Sequence, residues 1–267
     1  MELTEEGQWR KMRVDYQNPV QYHMRFGVKE FNVNPLIGKT LRLSFMDEIT
    51  CVGCGRKTKK SFAQGYCYPC LLNSPETAEC IMKPELCRAH EGKGRDADWE
   101  MTHHMQPHIV YLAISSGIKV GVTRETQVPI RWIDQGAVRA IPIAKTPNRH
   151  LAGTIEVILK KFVSDRTSWQ RMLKNQVDLE VNLPKRRDEL LEKLPPELRE
   201  YGFATGEQYS INFPVATYPQ KVKSLSFDKL PEIEGVLSGI KGQYLLFTDN
   251  RVLNVRKHSG YHIRLET

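Results

Sequence analysis

Nowhere in the 267 residues does an apolar run approach the roughly 20 that a helix needs to span a membrane. The first 30 residues, opening MELTEEGQWRKMRVDYQ, also lack the apolar core of a secretory signal, so a cytoplasmic protein with no membrane partner is expected. No strong repeat and no low-complexity tract interrupts the chain, which sets aside solenoids and long flexible linkers. Acidic side chains are the scarcer sign: 31 Asp and Glu stand against 39 Lys and Arg, a formal charge of +8. That excess favours an anionic partner such as DNA or RNA, although charge speaks first to solubility. Cysteine is sparse as well. There are six, and all fall between residues 51 and 87.

Four of the six have a regular spacing. CVGCGRKTKKSFAQGYCYPC places Cys51, Cys54, Cys67 and Cys70 in a CxxC-x12-CxxC array. Two CxxC knuckles brought together by a short hairpin offer four thiolates in a tetrahedron, which suits Zn²⁺. Two disulfides would be the alternative, but they belong to exported proteins. A structural zinc ribbon is therefore expected, and its four thiolates would lower the effective charge from +8 towards +6. The hairpin also carries Arg56, Lys57, Lys59 and Lys60 beside Phe62, Tyr66 and Tyr68. Basic side chains next to aromatics can pair with phosphates and stack on bases, or simply form a solvated face over the metal.

The other two cysteines, Cys80 and Cys87, are followed by His90, His103, His104 and His108. A structural zinc usually takes four ligands. The x3 spacing of His104 and His108 favours Cys80, Cys87, His104 and His108 as a second set, with His90 as a substitute for either histidine. Two buried thiols and solvent-facing histidines would be the plain alternative.

The centre of the chain is residues 108–165. HIVYLAI and IKVGVTR are apolar, β-prone runs joined by Ser115-Ser116-Gly117, which reads as a β-hairpin. Pro129 suits the start of a short helix closed at Gly136. Residues 137–145 read as a strand, and Asn148 opens a longer helix with Leu151, Ala152, Ile155, Leu159 and Phe162 on one face. Glu156 lies off that stripe, one turn before Lys160. The expected order is hairpin, helix, strand, helix.

With these residues in view, the stretch resembles the GIY-YIG nuclease superfamily. IVY (109–111) stands at the first motif, with Ile109 in place of its glycine. KVG (119–121) stands at the second, with Lys119 in place of its tyrosine, as in the lysine-variant branch. Seven residues separate Tyr111 from Lys119, fewer than is usual. The resemblance implies a divalent-metal-dependent endonuclease whose catalytic set here is Tyr111, Lys119, Arg131 and Glu156. Tyr111 would position or deprotonate water, Arg131 would clamp the phosphate, and Glu156 would hold Mg or Mn. Each also has a bland reading: a core tyrosine, a strand-end lysine, an arginine paired with Asp134, a glutamate paired with Lys160. Most of the chain is also similar to a bacterial family of undetermined function, through the cysteine array, CIMKPELC (80–87), VYLAISSGIKVGVTR, RWIDQGA and GIKGQYLLF.

The expected organisation is α+β: a β-rich segment at 1–50, a Cys/His zinc module at 51–107 and a GIY-YIG-like domain at 108–180. A charged helical linker at 181–200 and a β domain at 201–267, packing with 1–50 as a small barrel or sandwich, would follow. Lys241, Arg251, Arg256, Lys257, His258 and Tyr261 would give that domain a nucleic-acid-binding face. The leading function is metal-dependent cleavage of a nucleic-acid phosphodiester. A non-catalytic zinc-containing DNA- or RNA-binding protein is the alternative, and a zinc-stapled protein–protein adaptor the third reading.

Overall fold

The computed structural model describes residues 3–164, 166–203 and 206–267. Asp165, the end of the central stretch above, lies outside the described residues. In chain order, β1 (Thr4–Asp15), β2 (Gln21–Phe26), β3 (Lys29–Asn32) and β4 (Thr40–Ile49) precede a short α1 (Tyr68–Asn73). Helix α2 (Ala97–His104) leads into β5 (His108–Ile114), β6 (Ile118–Arg124), α3 (Ile130–Asp134), β7 (Arg139–Thr146) and α4 (Arg149–Leu159). Next come α5 (Trp169–Leu173), α6 (Leu183–Leu191), α7 (Pro196–Arg199) and β8 (Tyr209–Ser210). After them stand β9 (Lys223–Leu225), β10 (Glu232–Lys241), β11 (Tyr244–Phe247), β12 (Arg251–Asn254) and β13 (Tyr261–Glu266). The fold is α+β, and no helix among the described residues is long and apolar enough to cross a membrane.

The chain divides into two compact units. One comprises residues 1–72, 173–175 and 211–267. Its nine strands form one sheet in the order β3-β2-β1-β13-β4-β10-β11-β12-β9, antiparallel except for β9 against β12. The expected barrel or sandwich is thus a single continuous sheet, and segment 1–50 does join the last 60 residues, because β13 pairs with both β1 and β4. Alternation explains which side chains turn inward: Tyr22, Met24 and Phe26 in β2, and Tyr261, Ile263 and Leu265 in β13, are buried at every second position. Residues 51–72, with the regular cysteine array, belong to this unit. The expected 51–107 module is therefore divided after residue 72.

The other unit comprises residues 73–172 and 176–210. Its sheet runs β6-β5-β7-β8, with every residue of the central strand β5 buried. Val110, Leu112 and Ile114 of β5 form one core with Ile141 and Ile143 of β7 and with Ala152, Ile155 and Leu159 of α4. Burial of each large aliphatic side chain there stabilises by about 1.5–3 kcal/mol relative to exposure. Asn148 caps α4, its side chain accepting from the Leu151 amide at 3.0 Å. The order hairpin, helix, strand, helix is the one observed. Segment 181–200, expected as a linker, is instead part of this core: Leu183, Leu190, Leu194 and Leu198 pack into it. Lys185 and Asp188 between them are exposed, although Arg187 is buried, which is why the segment reads as a polar helix in sequence.

Candidate functional site

Among the described residues, each unit carries one group of ligating side chains. In the first, the Sγ atoms of Cys51, Cys54, Cys67 and Cys70 all lie within 4.8 Å of one another. Small bridges, Thr50 with Lys57 and Phe62 with Tyr66, fold the hairpin between the two knuckles. A tetrahedral zinc with bonds of about 2.3 Å places sulfurs about 3.8 Å apart, and the Cys54 and Cys67 sulfurs are 3.8 Å apart. The Cys67 amide donates to Cys51 Sγ at 3.2 Å and the Arg56 Nε to Cys54 Sγ at 3.4 Å. Arg56 holds the Cys54 thiol down at about 6, and hydrogen bonding with Cys54 and Cys67 pushes Cys70 up to about 12. Sulfurs that must share protons in this way are those a cation can take over. The four cysteines could hold a metal such as zinc.

In the second unit the group is Cys80, Cys87, Glu100 and His104, all buried. Glu100 and His104 sit four residues apart on α2 and so share a face, and His104 Nδ1 contacts the Glu100 carboxylate. Cys87 Sγ lies 3.5 Å from His104 Nδ1, close to the separation of about 3.6 Å expected for an S and an N on one tetrahedral zinc. Hydrogen bonding from Cys80 and His104 holds the Cys87 thiol down at about 4, and the same pairing pushes Cys80 up.

His108 does not join this group. It begins β5 fully buried, Nδ1 is tied to the Gln106 carbonyl at 2.7 Å, and Nε2 is buried with no partner among the described residues. Burial holds its pKa down at about 4, so the ring is neutral. His90 is outside too: its ring packs, tilted, on His150 at 4.4 Å between ring centres. Glu100 takes the place expected of His108. The E-x3-H spacing in WEMTHH was the available signal, but a glutamate on a helix looks like any solvated carboxylate.

The cysteine loop of this unit is packed against α4. Arg149 donates to the Cys80 carbonyl at 2.9 Å and to the Ile81 carbonyl at 2.8 Å. A Cβ on Gly153 would sit 2.2 Å from the Glu85 amide nitrogen, so only glycine lets helix and loop approach so closely. Glu156 follows one turn later. It is buried, with Lys160 Nζ 3.3 Å from its Oε2. The expectation that it lies off the apolar stripe leads to an exposed carboxylate, whereas the loop covers this part of α4.

Tyr111 stands across from Gly121, and a Cβ there would lie 2.6 Å from the Tyr111 hydroxyl. The tyrosine is 1% exposed, and its hydroxyl donates to Gln135 Oε1 at 2.9 Å. Burial raises its pKa, Arg131 opposes that rise by charge and by a hydrogen bond, and the Glu156 carboxylate adds to it. Arg149 in turn feels both Glu156 and Arg131. Tyr111, Arg131 and Glu156, from β5, α3 and α4, are therefore electrostatic neighbours. Lys119 is buried two residues from Gly121, and the period of two puts it on the Tyr111 face of the hairpin. Gln135 and Arg149 are the members that sequence reasoning missed. Gln135 is four residues from Arg131, one helical turn, and that spacing was the signal.

The basic face expected on the C-terminal strands is only partly there. Lys241 is fully buried under the Phe213 and Tyr218 rings with Nζ 2.8 Å from Asn175 Oδ1, and His258 is buried as well. Arg251 pairs with Asp249. Arg256, Lys257 and Tyr261 line an open cleft with Lys60 of the hairpin.

No curated protein and no solved structure matches the chain. A family described as "Protein of unknown function (DUF2797)" matches residues 38–263, which takes in both ligand groups, the Tyr111 neighbourhood and all but the first strands of the large sheet. The chain belongs to the DUF2797 family.

Proposed function

We propose that this protein cleaves a nucleic-acid phosphodiester at a GIY-YIG-like site on β5, β6, α3 and α4, with a zinc ribbon at Cys51, Cys54, Cys67 and Cys70. A second structural zinc at Cys80, Cys87, Glu100 and His104 would hold the loop that covers α4. What carries this reading is that Arg131, hydrogen-bonded to the Tyr111 hydroxyl, and Glu156, near enough to act on it by charge, come from two different helices to the same tyrosine. Phosphodiester hydrolysis needs a cation for the charge that builds on phosphorus, a carboxylate and a positioned hydroxyl. Arg131 supplies a planar donor fork for two phosphate oxygens. Tyr111, its pKa raised by burial, keeps its proton near neutrality and acts as a hydrogen-bonding positioner of water or of the leaving oxygen.

One carboxylate is the least that Mg²⁺ takes from a protein, and Glu156 is that carboxylate. A bound Mg²⁺ or Mn²⁺ would supply Lewis acidity to the phosphate. Arg131, Arg149 and Lys160 outnumber Glu156 three to one, so the site attracts a phosphate more strongly than a bare dication. Metal and substrate are then expected to enter together.

The test is cleavage of branched, single-stranded and structured DNA and RNA in Mg²⁺ or Mn²⁺. Glu156→Ala and Arg131→Ala should each slow it by about 10²–10³ while zinc content is unchanged. Wild-type cutting by Glu156→Ala would put the chemistry elsewhere. Tight binding without cutting would favour the second reading, a non-catalytic DNA- or RNA-binding protein. That reading draws on burial, since Tyr111 and Lys119 are only 1% and 5% exposed.

A further inference from the structure

The unit with the regular cysteine array contains a cleft of about 500 Å³ that the cleavage reading does not use. One wall is the hairpin between the two CxxC knuckles, represented by Lys60 and Gln64. The other is residues 254–261, represented by Asn254, Arg256, Lys257 and Tyr261. Backbone pairing fixes the two walls: the Thr50 amide donates to the Gly260 carbonyl at 2.8 Å, and the Val52 amide to the Gly65 carbonyl at 2.9 Å. Stretches about 200 residues apart in sequence thus contribute to one cavity, within the roughly 300–1,000 Å³ of small-molecule sites. It has room for a nucleotide unit and none for a double helix.

Charge and shape agree on the ligand. Lys60, Arg256 and Lys257 face one carboxylate, Asp228, which leaves two net positive charges on the lining. Asp228 is already committed to the wall. It accepts from the Tyr261 hydroxyl at 2.6 Å and the Ser226 hydroxyl at 2.8 Å, with Lys257 Nζ at 3.4 Å, and these partners hold its pKa down. It stays ionised, and its charge is offset by Lys257, which also donates to the Ser226 hydroxyl at 3.0 Å, so Lys60 and Arg256 carry the net positive charge of the cleft. Behind Ser226 stands His258, neutral, its Nδ1 tied to the Asn254 carbonyl at 2.8 Å. Beside the cleft, Tyr68 is 56% exposed and packs on Phe62 with ring centres 5.7 Å apart, and Lys60 Nζ lies 5.2 Å over the Phe62 ring. An exposed aromatic next to a groove of cations is the arrangement that holds single strands, backbone on charge and base on ring.

We propose that this cleft binds a single-stranded polynucleotide, its phosphates on Lys60, Arg256 and Lys257 and a base on the Phe62–Tyr68 face. The choice of ligand class rests on the nucleic-acid reading above, but the site needs neither Arg131 nor Glu156.

Fluorescence anisotropy with short labelled single-stranded DNA, single-stranded RNA and the matching duplex, on the zinc-loaded full chain, tests it. Wild type should prefer a single strand over the duplex. The double variant Lys60→Glu/Arg256→Glu should lose at least tenfold in affinity and reduce the salt slope by about 1.4, at roughly 0.7 per phosphate contact. Tyr68→Ala should lose about tenfold. Lys29→Glu, on edge strand β3, should stay within twofold of wild type. Equal affinity for DNA and RNA means that the shared phosphodiester is the ligand, and a preference for RNA adds a contact to the 2′-hydroxyl; both uphold the site. Single-strand affinity that survives the double variant and Tyr68→Ala overturns it. If that affinity instead falls with Arg131→Ala, the cleavage site is the binder and the nucleic-acid reading stands without this cleft. If neither set matters, or no polynucleotide binds, both fall.

Discussion

The two ligand groups are built on opposite plans. Cys51, Cys54, Cys67 and Cys70 come from one short hairpin, with Cys54 exposed at the surface. Cys80, Cys87, Glu100 and His104 are all buried and are drawn from a loop and a helix. The first group organises its own hairpin and one wall of a cleft. The second sits under α4, where Arg149 and Gly153 press the cysteine loop against the helix that carries Glu156. A metal in the first is a local staple, whereas a metal in the second sets the position of a helix.

Removing a ligand should separate the two most sharply. Zinc bound by small folding motifs is worth about 10–16 kcal/mol. Cys67→Ser should lower the content from two zinc per chain to one by elemental analysis, with hydrogen exchange rising across residues 51–70. Cys87→Ser should lower the count equally but raise exchange in 149–159. Protein that is metal-free and still folded in a strong chelator would break the comparison at once.

Ligand identity is the next largest effect. Glu100→Gln should weaken the second zinc at least 10–100-fold, the penalty seen even for second-sphere partners. His108→Gln should leave zinc affinity unchanged. Competition with a chromophoric chelator measures both, and a loss with His108→Gln would restore that histidine as a ligand.

Gly153→Ala sharpens the contrast without touching any ligand. A methyl group 2.2 Å from the Glu85 amide forces loop and helix apart, at a cost of about 1–3 kcal/mol in a urea or thermal melt. An unchanged melting temperature would mean that the loop does not set α4.

The smallest effect belongs to the unit of the large sheet. Burial holds the Lys241 pKa at about 7, below the ordinary 10.5. The unfolded chain binds that proton more readily between pH 7 and 10.5, so the fold gains stability as pH rises through this window. The Phe213 and Tyr218 rings over the ammonium offset part of the effect. Lys241→Met should erase about 1–2 kcal/mol of the gain between pH 7 and 9.5, measured against wild type in urea. Equal slopes would mean that the lysine is charged throughout.

What sequence made legible follows range. The CxxC array, the Asn148 cap and the order of β5, β6, α3, β7 and α4 are written within a few residues, and local geometry realises them. Glu100 was hidden because ligation is a property of what lies opposite a carboxylate, and that is decided by folding. Leu183, Leu190, Leu194 and Leu198 were hidden by the charges between them and by Pro195-Pro196, which breaks the helical spacing before Leu198. Lys241 looked like surface because nothing local reports the aromatic rings that cover it.

Strand β13 has a consequence for how the molecule is made. It lies between β1 and β4, so the centre of the large sheet stays open until residues 261–266 have left the ribosome. The other unit, contained within residues 73–210, has every strand and helix it needs well before that. During synthesis β1 and β4 must wait with one edge each unsatisfied, a state prone to pairing with the wrong neighbour. Pairing of β13 with β1 and β4, and not collapse of the first strands, is the event that completes this half of the protein.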